Sequence, residues 1–541
     1  MSRVRTVFAN MSWLMFSQII TSVCAFVWTI LTARYLGVSD YGLLGTATSF
    51  ATIFGVCADL GVTTYIVRSI STDFDSEKKY LGNAIGIKLI LAVFYLAVVS
   101  LALFILGWDN YTVVICFLFA VENVIKSFQT AMYSSFQAHE MMKYQAITNT
   151  LLNVLTFIFI VAVTFTNYGL WGITLAYIAA NLIGLVYATL ALSKKIIVPK
   201  PLFDKAFCKK LVIGGLPFAL TSLFYMIYYS IDMVMITQFA NTYATGLYNS
   251  SYKLINVLTL FYTIYTSVIF PVMSKLFKQD GNLLQFSFVK SIKYLSMVTI
   301  PIAIATFFYG GDVISLCYGN QYAEAGEVLK ILIWTVCFLF INGACSMILN
   351  ASHRETAVTK IYCLAALFNV VLNFILIPHF SVYGASVATV ISEILILALE
   401  LYTIYKINQL PDRHLLVDIL KVVLCASVMG VVLHILNLNL WLAIPVGVVV
   451  YLIAIILTKT FDDQDKYEIK PYCVDMFGNE GTTEETYKFA VDTEAPVIEY
   501  TYEYLDADNK WKPLNDENAV KLKNAPIRVN VTVTEHFFSL K

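Results

Sequence analysis

Residues 78–108 read KKYLGNAIGIKLILAVFYLAVVSLALFILGW: two lysines, 28 residues whose sole charge is Lys88, then a tryptophan. A helix rises about 1.5 Å per residue and the hydrocarbon core of a bilayer is about 30 Å thick, so such a stretch is a membrane-spanning helix. Fourteen stretches of this kind follow one another: 10–36, 43–68, 80–107, 111–136, 144–166, 170–193, 211–239, 246–274, 288–309, 326–350, 358–380, 384–405, 416–437 and 441–459. A hydrophobic content of 59% and a mean hydropathy of +0.73 agree. The fold class is an all-α polytopic membrane protein.

The basic residues alternate with the loops. Arg3, Arg5, Arg68, Lys78, Lys79 and Lys143 lie on one side, as do Lys194, Lys195, Lys200, Lys205, Lys209 and Lys210. Lys275, Lys278, Lys290, Lys293, Arg354, Lys360, Lys406 and Arg413 continue the same set. The opposite loops, near 37–42, 108–110, 167–169, 240–245, 310–325, 381–383 and 437–440, hold no Lys or Arg, and only Arg34 lies near one. Positive loops stay inside, which places the N-terminus and the C-terminal tail in the cytoplasm of a cell whose inner or plasma membrane holds the chain. Trp108, Trp171 and Trp441 flank the basic-poor loops, where an aromatic belt belongs.

Residues 461–541 carry 17 acidic and 9 basic side chains, and the rest of the chain 19 and 27. The surplus of positive charge on the membrane part follows mainly from basic inner loops facing anionic lipid. Most of the cysteines lie within spans and form no C-x-x-C pair, so neither a disulfide framework nor a metal site is indicated. No Gly-rich phosphate loop is present, which argues against nucleotide hydrolysis by this chain. Two arginines followed by a full-length span read as a retained first helix rather than a removed signal peptide.

The chain also repeats itself. Ala33-Arg34-Tyr35-Leu36-Gly37 through Tyr41-Gly42-Leu43-Leu44 is echoed by Thr237-Gln238-Phe239-Ala240-Asn241 through Thr245-Gly246-Leu247-Tyr248. The run from Asn153 through Tyr168-Gly169 is echoed from Asn369 through Tyr383-Gly384. Six helices separate the copies, so both keep one orientation and are related by an axis along the membrane normal. The expected organisation is a six-helix lobe over 1–193, a linker over 194–210 broken by Pro199 and Pro201, and a second lobe over 211–405. Helices 13 and 14 then occupy 406–459, and an acidic tail 460–541. Two lobes with a site between them is a transporter architecture. The basic-poor loops are short except 310–325, which weighs against a membrane enzyme of glycan assembly.

With these residues in place the chain resembles the polysaccharide or O-antigen flippase branch (Wzx-like) of the multidrug/oligosaccharidyl-lipid/polysaccharide exporter superfamily. The resemblance covers 1–459 and rests on Ala33–Gly42, Asp59-Leu-Gly61 followed by Arg68, and Gly215-Leu-Pro217. Asp232, Gly246-Leu-Tyr248, Ile269-Phe-Pro271, Asn369 to Asn373, Ile377-Pro378 and Gly384-Ala385 continue it. It implies a non-enzymatic flippase that moves a polyprenyl-diphosphate-linked oligosaccharide from the inner to the outer leaflet by alternating access, for cell-surface polysaccharide or lipopolysaccharide synthesis. Its partners would be membrane lipid, that glycan lipid and glycan-assembly enzymes, with no nucleic acid. No cofactor is implied beyond proton or sodium coupling. Export of cationic drugs, as in the multidrug branch, is the alternative.

Charges at bilayer depth are candidates for function because each is costly unless paired or wetted. Arg34, Lys88, Lys126 and Lys253 are the candidates for binding an anionic substrate. Asp59, Glu122, Asp232 and Glu393 are the candidates for ion coupling or ion pairing. Glu122 and Lys126 are spaced i, i+4 and can pair on one helix face, whereas Arg34 is near enough to a loop to snorkel. Lys88 lies beyond Gly82-x-x-x-Gly86, a motif that lets a neighbouring helix approach. Asp232 and Lys253 lie at similar depth in adjacent helices and can pair. Glu393 has no local partner, and Asn153, Asn369 and Asn373 suit interhelical hydrogen bonds. No catalytic or metal-ligating set is read from the chain.

The tail departs from the rest. Ile527, Val529, Val531 and Val533 alternate with polar residues, and Gly478-Asn479 separates strand-like runs, so the tail is β-rich. Val491-Asp-Thr-Glu-Ala-Pro-Val-Ile498 resembles the junction between bacterial immunoglobulin-like modules, which implies incomplete modules of a fused or truncated frame with no part in transport. For the membrane domain, cysteine labelling in intact cells should mark Asn110, Tyr168, Asn320 and Val382 as outside. Lys78, Lys200, Gln279 and Gln409 should be protected, and labelling at Lys200 would overturn the lobe assignment.

Overall fold

A computed structural model of the chain describes residues 3–279, 281–407 and 413–460, and in the tail the strand segments between 468 and 534. Of the positions named above, Gln409, Gly478-Asn479 and residues 491–496 lie outside the described residues. The chain divides into two compact units, 1–458 and 459–541.

The first unit is helical: α1 (Arg3–Asp59), α2 (Val62–Thr72), α3 (Glu77–Leu106), α4 (Asn110–Ala138), α5 (Met142–Thr164), α6 (Gly169–Lys195) and α7 (Lys205–Phe239). It continues through α8 (Thr242–Gln279), α9 (Gly281–Tyr318), α10 (Ala325–Ala351), α11 (Glu355–Lys406), α12 (Arg413–Leu436) and α13 (Leu440–Leu457). Twelve described helical stretches are long and apolar enough to cross a membrane. Two of them are too long for one crossing. The 57 residues of α1 and the 52 of α11 would reach roughly 85 and 78 Å if straight.

Both break in mid-course, α1 at Gly37 (φ 74°) and α11 at Ser381 (φ 50°). The chain folds back at the second break, since a Cβ on Gly384 would stand 2.5 Å from the carbonyl oxygen of Leu376. Counting each as two gives the fourteen spans expected. A further break separates α1 from α2, where Leu60 and Gly61 take φ of 46° and 71°. Backbone of this kind is tolerated at membrane depth where it is enclosed by protein or lines a cavity.

The segment 196–204 between α6 and α7 is extended and lies on α3. The Leu202 amide donates to the Gly82 carbonyl (2.9 Å) and the Asp204 amide to Asn83 Oδ1 (2.7 Å). A Cβ on Gly86 would stand 2.0 Å from the Leu202 carbonyl oxygen. The Gly82-x-x-x-Gly86 motif therefore receives the linker, not a neighbouring helix, because Pro199 and Pro201 keep that segment out of helical conformation. Asp204 then caps α7, and Phe207 and Leu211 of its first turns pack among Val62, Ile66 and Ile70 of α2 and Ala84 of α3.

The halves meet most closely where the second part of α1 crosses α8. A Cβ on Gly42 would fall 1.9 Å from the Thr242 carbonyl oxygen, and one on Gly246 2.0 Å from that of Val38. These glycines are counterparts in the repeat, so the two copies pack on each other through matching positions. Asn249 Nδ2 donates to the Tyr41 carbonyl (3.2 Å) beside them.

In the second unit β1 (Glu468–Ile469) pairs with β4 (Tyr487–Lys488), and β2 (Tyr472–Val474) with β3 (Glu480–Thr482). The strand β5 (Val497–Leu505) lies between β6 (Trp511–Pro513) and β7 (Ile527–Thr534), antiparallel to both. The alternating residues 527–533 fall in β7.

The crossing makes a signed prediction. Alanine is favoured over glycine in a helix by about 1 kcal/mol, yet Gly42→Ala or Gly246→Ala should lower the unfolding temperature in detergent by several degrees because backbone must separate. Gly311→Ala, whose Cβ meets nothing within 4 Å, should be neutral or stabilising in the same assay.

Candidate functional site

Two cavities lie where the halves face each other. One, of about 460 Å³, is enclosed by the second part of α1, α4 and α7, and Asp59, Glu122, Asn123, Lys126 and Ser222 line it. Asp59 ends α1 at the backbone break, which brings its carboxylate to the cavity wall. Lys88 is 1% exposed and reaches Asp59 from α3 at 2.5 Å. Its ammonium also donates to the Ser127 carbonyl (2.9 Å) and hydroxyl (2.8 Å). Thr63 donates to the same Asp59 carboxylate. Three donor bonds and one countercharge satisfy Lys88, which is how an ammonium persists at that depth.

Glu122 pairs with Lys126 at 2.7 Å across one turn and accepts from Asn181 Nδ2 of α6 at 2.7 Å. Lys126 remains half exposed to the cavity. Two carboxylates and two ammonium groups thus neutralise one another here. Lys126 pairs with Glu122 as their i, i+4 spacing allows, and Lys88 carries Asp59, a partner the sequence did not indicate.

Arg34 stands elsewhere. It donates to the carbonyls of Leu316 (2.5 Å) and Cys317 (2.8 Å), the last turn of α9, where orphan carbonyls and the helix dipole favour a cation. Nearby, Tyr322 Oη donates to the Ala33 carbonyl (2.8 Å), and Tyr41, Tyr318 and Tyr322 form one ring cluster. Trp108 Nε1 donates to Gln238 (2.6 Å), and Thr237 joins Thr46 (2.5 Å) and Thr245 (2.8 Å) through their hydroxyls. These contacts hold the halves together at the basic-poor end. Arg34 is a clamp there, not a cavity residue, because the cavity begins fourteen residues further on at Thr48.

Asp232, 4% exposed, accepts from Tyr248 (2.6 Å), Asn373 (2.6 Å) and Thr389 (3.0 Å). The expected Asp232–Lys253 pair does not form. Tyr248 faces Asp232, and Lys253, five residues on, is turned about 140° away around α8. Among the described residues Lys253 has no hydrogen-bond or ion-pair partner. Glu393 of α11 accepts from Tyr228 of α7 (2.7 Å) and Asn342 of α10 (2.7 Å). Asn373 also donates to Asn369 (2.9 Å) within α11.

Sequence reasoning missed Glu400. Fully buried, it accepts from Ser346 (2.5 Å) while its second oxygen has no partner. Its spacing of seven from Glu393, two helical turns, was the available signal. Asp232, Glu393 and Glu400 have no ion-pair partner among the described residues, so these three buried acids face only neutral donors.

The second cavity, of about 500 Å³, lies between the first part of α1, α5 and α8. Ser17, Gln18 and Thr21 face Gln145, Asn149 and Asn153, with Leu260, Thr263, Ile264 and Ser267 opposite. Asn153 bonds its own helix, donating to the Asn149 carbonyl (2.8 Å), rather than a neighbouring one. The stripe of amides at i, i+4 and i+8 on α5 was legible in the sequence as one polar face.

The family described as "Polysaccharide biosynthesis protein" matches residues 7–277, and the MatE family residues 217–375. The capsular polysaccharide biosynthesis protein CapF of Staphylococcus aureus is 22% identical over 411 residues, 73% of this chain and 98% of that protein. The probable low-salt glycan biosynthesis flippase Agl15 of Haloferax volcanii is 22% identical, covering 66% of this chain and 75% of its own length. An uncharacterized membrane protein of Methanocaldococcus jannaschii, MJ1068, is 27% identical over 188 residues, and the chain spans only 36% of its length. Among solved structures, the lipid II flippase MurJ in an inward closed conformation aligns with a TM-score of 0.69 at 17% identity, over 82% of this chain and 98% of its own. An inward-facing multidrug resistance MATE family transporter aligns with a TM-score of 0.59 at 12% identity, over 72% and 94%.

Removing one member of the Lys88–Asp59 pair should expose what the pair does. Lys88→Met strands a half-buried carboxylate and should cost about 3–5 kcal/mol, read as a lower unfolding temperature and lower abundance. Adding Asp59→Asn should recover most of that loss. Unchanged stability in the single variant would mean that the pair is not structural.

Proposed function

We propose that this chain, which belongs to the polysaccharide biosynthesis protein family, moves a polyprenyl-diphosphate-linked oligosaccharide from the inner to the outer leaflet by alternating access of its halves. The product would serve cell-surface polysaccharide assembly. One observation carries this reading: polar and charged side chains line two cavities between helices of the two halves at bilayer depth, while clamps join the halves at the basic-poor end. Hydrocarbon tolerates such lining only where water or a polar cargo enters. The names of the relatives, which include a capsular polysaccharide biosynthesis protein, a probable glycan biosynthesis flippase and the structurally similar lipid II flippase, support the same cargo class.

In this reading the basic loops face the cytoplasm, together with both ends of the membrane domain. The chain acts as a transporter and not as an enzyme, handing its cargo between glycan-assembly enzymes on the two faces. Lys253 is the diphosphate ligand. Among the described residues it is the one lysine of the three inward candidates without an acid, and it shares a face of α8 with Leu260 and Ile264, seven and eleven residues on, which line the amide-bearing cavity. A diphosphate leaving water needs fixed positive charge in return. Asp232, Glu393 and Glu400 carry the coupling ion, a proton or sodium, because three carboxylates facing only neutral donors demand a cation when charged.

The same three acids favour cation export as the second reading. Proteoliposomes separate the two: flipping of a fluorescent polyprenyl-diphosphate glycan supports the first, and efflux of an organic cation without glycan flipping supports the second. Lys253→Ala should reduce glycan flipping at least tenfold with unchanged abundance and unfolding temperature, and Lys253→Arg should retain part of it. Wild-type flipping by Lys253→Ala would remove it as a ligand. Glu393→Gln should abolish the dependence of flipping on an imposed proton or sodium gradient.

A further inference from the structure

We propose that the cavity between α1, α5 and α8 is a sugar subsite selective for uncharged, hydroxyl- and acetamido-bearing rings, which takes the part of the glycan nearest the diphosphate. This rests on the flippase reading and adds to it the class of sugar. Among the described residues, every polar side chain lining the cavity is an amide or a hydroxyl, and none is charged. The neighbouring cavity, similar in size, is lined by Asp59, Glu122 and Lys126. Composition, not volume, sets the two apart.

Amides and hydroxyls both donate and accept, as sugar hydroxyls and acetamido groups do, whereas a carboxylate only accepts and an ammonium only donates. The cavity lies within the range of about 300–1,000 Å³ typical of small-ligand sites. Thr21 contributes to this wall through its side chain, beside Ser17 and Gln18 on the same helix.

The walls are fixed for the purpose. Ser17 donates to the Ala146 carbonyl (3.0 Å) and meets the Thr150 hydroxyl (3.0 Å), which pins α1 to α5. Gln145 accepts from Gln137 (3.0 Å), so its amide group is held by a neighbour. Along α8, Lys253, Leu260 and Ser267 fall on one face over about 21 Å, passing from ammonium to hydroxyl. A diphosphate at Lys253 therefore directs the attached sugars along α8 into the amide-lined space. A uronate or other acidic ring placed there would surrender its hydration with no countercharge on the wall.

Equilibrium binding to the full chain in nanodiscs tests this with three probes. These are a polyprenyl diphosphate bearing an N-acetylglucosamine disaccharide, the same lipid bearing a glucuronate disaccharide, and the sugar-free lipid diphosphate. The neutral glycan should bind at least tenfold more tightly than the acidic one. Asn149→Asp and Asn153→Asp should each weaken neutral-glycan binding tenfold while leaving the sugar-free lipid unaffected. Asn149→Lys should shift the preference towards glucuronate. Gln18→Glu, at an exposed position of the same wall, serves if the α5 variants fail to fold. Equal binding of the neutral and acidic glycans, or neutral-glycan binding untouched by these changes, overturns the subsite and leaves the flippase reading standing. No binding of any of the three probes overturns the flippase reading itself.

Discussion

The structure of the membrane unit turns on a place where nothing stands between two helices. At Gly42 and Gly246 the backbones of α1 and α8 touch, and one added carbon on either would meet a carbonyl oxygen at 2 Å or less. Without a hydrophobic driving force between helices in lipid, close packing and polar bonds must hold the halves, and small residues permit both. The crossing admits the Thr46–Thr237 and Asn249–Tyr41 bonds and brings the aromatic cluster of Tyr41, Tyr318 and Tyr322 together. Both cavities lie further along the same helices, one from Thr48 onward on α1 and the other by Leu260 to Ser267 on α8. Closure at one end and accommodation further in are consequences of the same two hydrogen atoms.

Two halves built on one repeat treat charge differently. In the first half every buried acid discussed above has a lysine, and each pair is further tied by Ser127, Thr63 or Asn181. In the second, Asp232, Glu393 and Glu400 sit among tyrosine, asparagine, serine and threonine. Neutralised pairs fix a geometry regardless of what surrounds the protein. Acids held by neutral donors respond to the supply of cations, because the charged form has no countercharge of its own. The repeat thus gives one half whose inward acids are paired with lysines and one whose inward acids are held by neutral donors.

Much of this was legible from the chain, and the parts that were not share a cause. Apolar length and the alternation of basic loops specify the spans, even where two helices run together across Gly37 and Ser381. The i, i+4 spacing specifies Glu122–Lys126, since both residues belong to one helix. Depth is readable as well, but depth alone pairs Asp232 with Lys253 wrongly, because the partner also depends on which way each helix is turned. The same limit hid the partners of Lys88 and Arg34, which come from helices remote in sequence. It hid the use of Gly82 and Gly86, where small residues admit whatever backbone arrives. Glu400 was overlooked although its spacing from Glu393 announced it.

The extended segment between the halves has a mechanical consequence. Because residues 196–204 are bonded to α3, and Phe207 and Leu211 pack on α2 and α3, the first turns of α7 are rigidly part of the half they are about to leave. The connection therefore contributes no slack. The packing continues past Pro217, since a Cβ on Gly61 would stand 2.2 Å from the Gly215 carbonyl oxygen and 2.8 Å from the Ala219 amide nitrogen. What looks like a tether between the halves is an anchor that fastens the start of the second to the first.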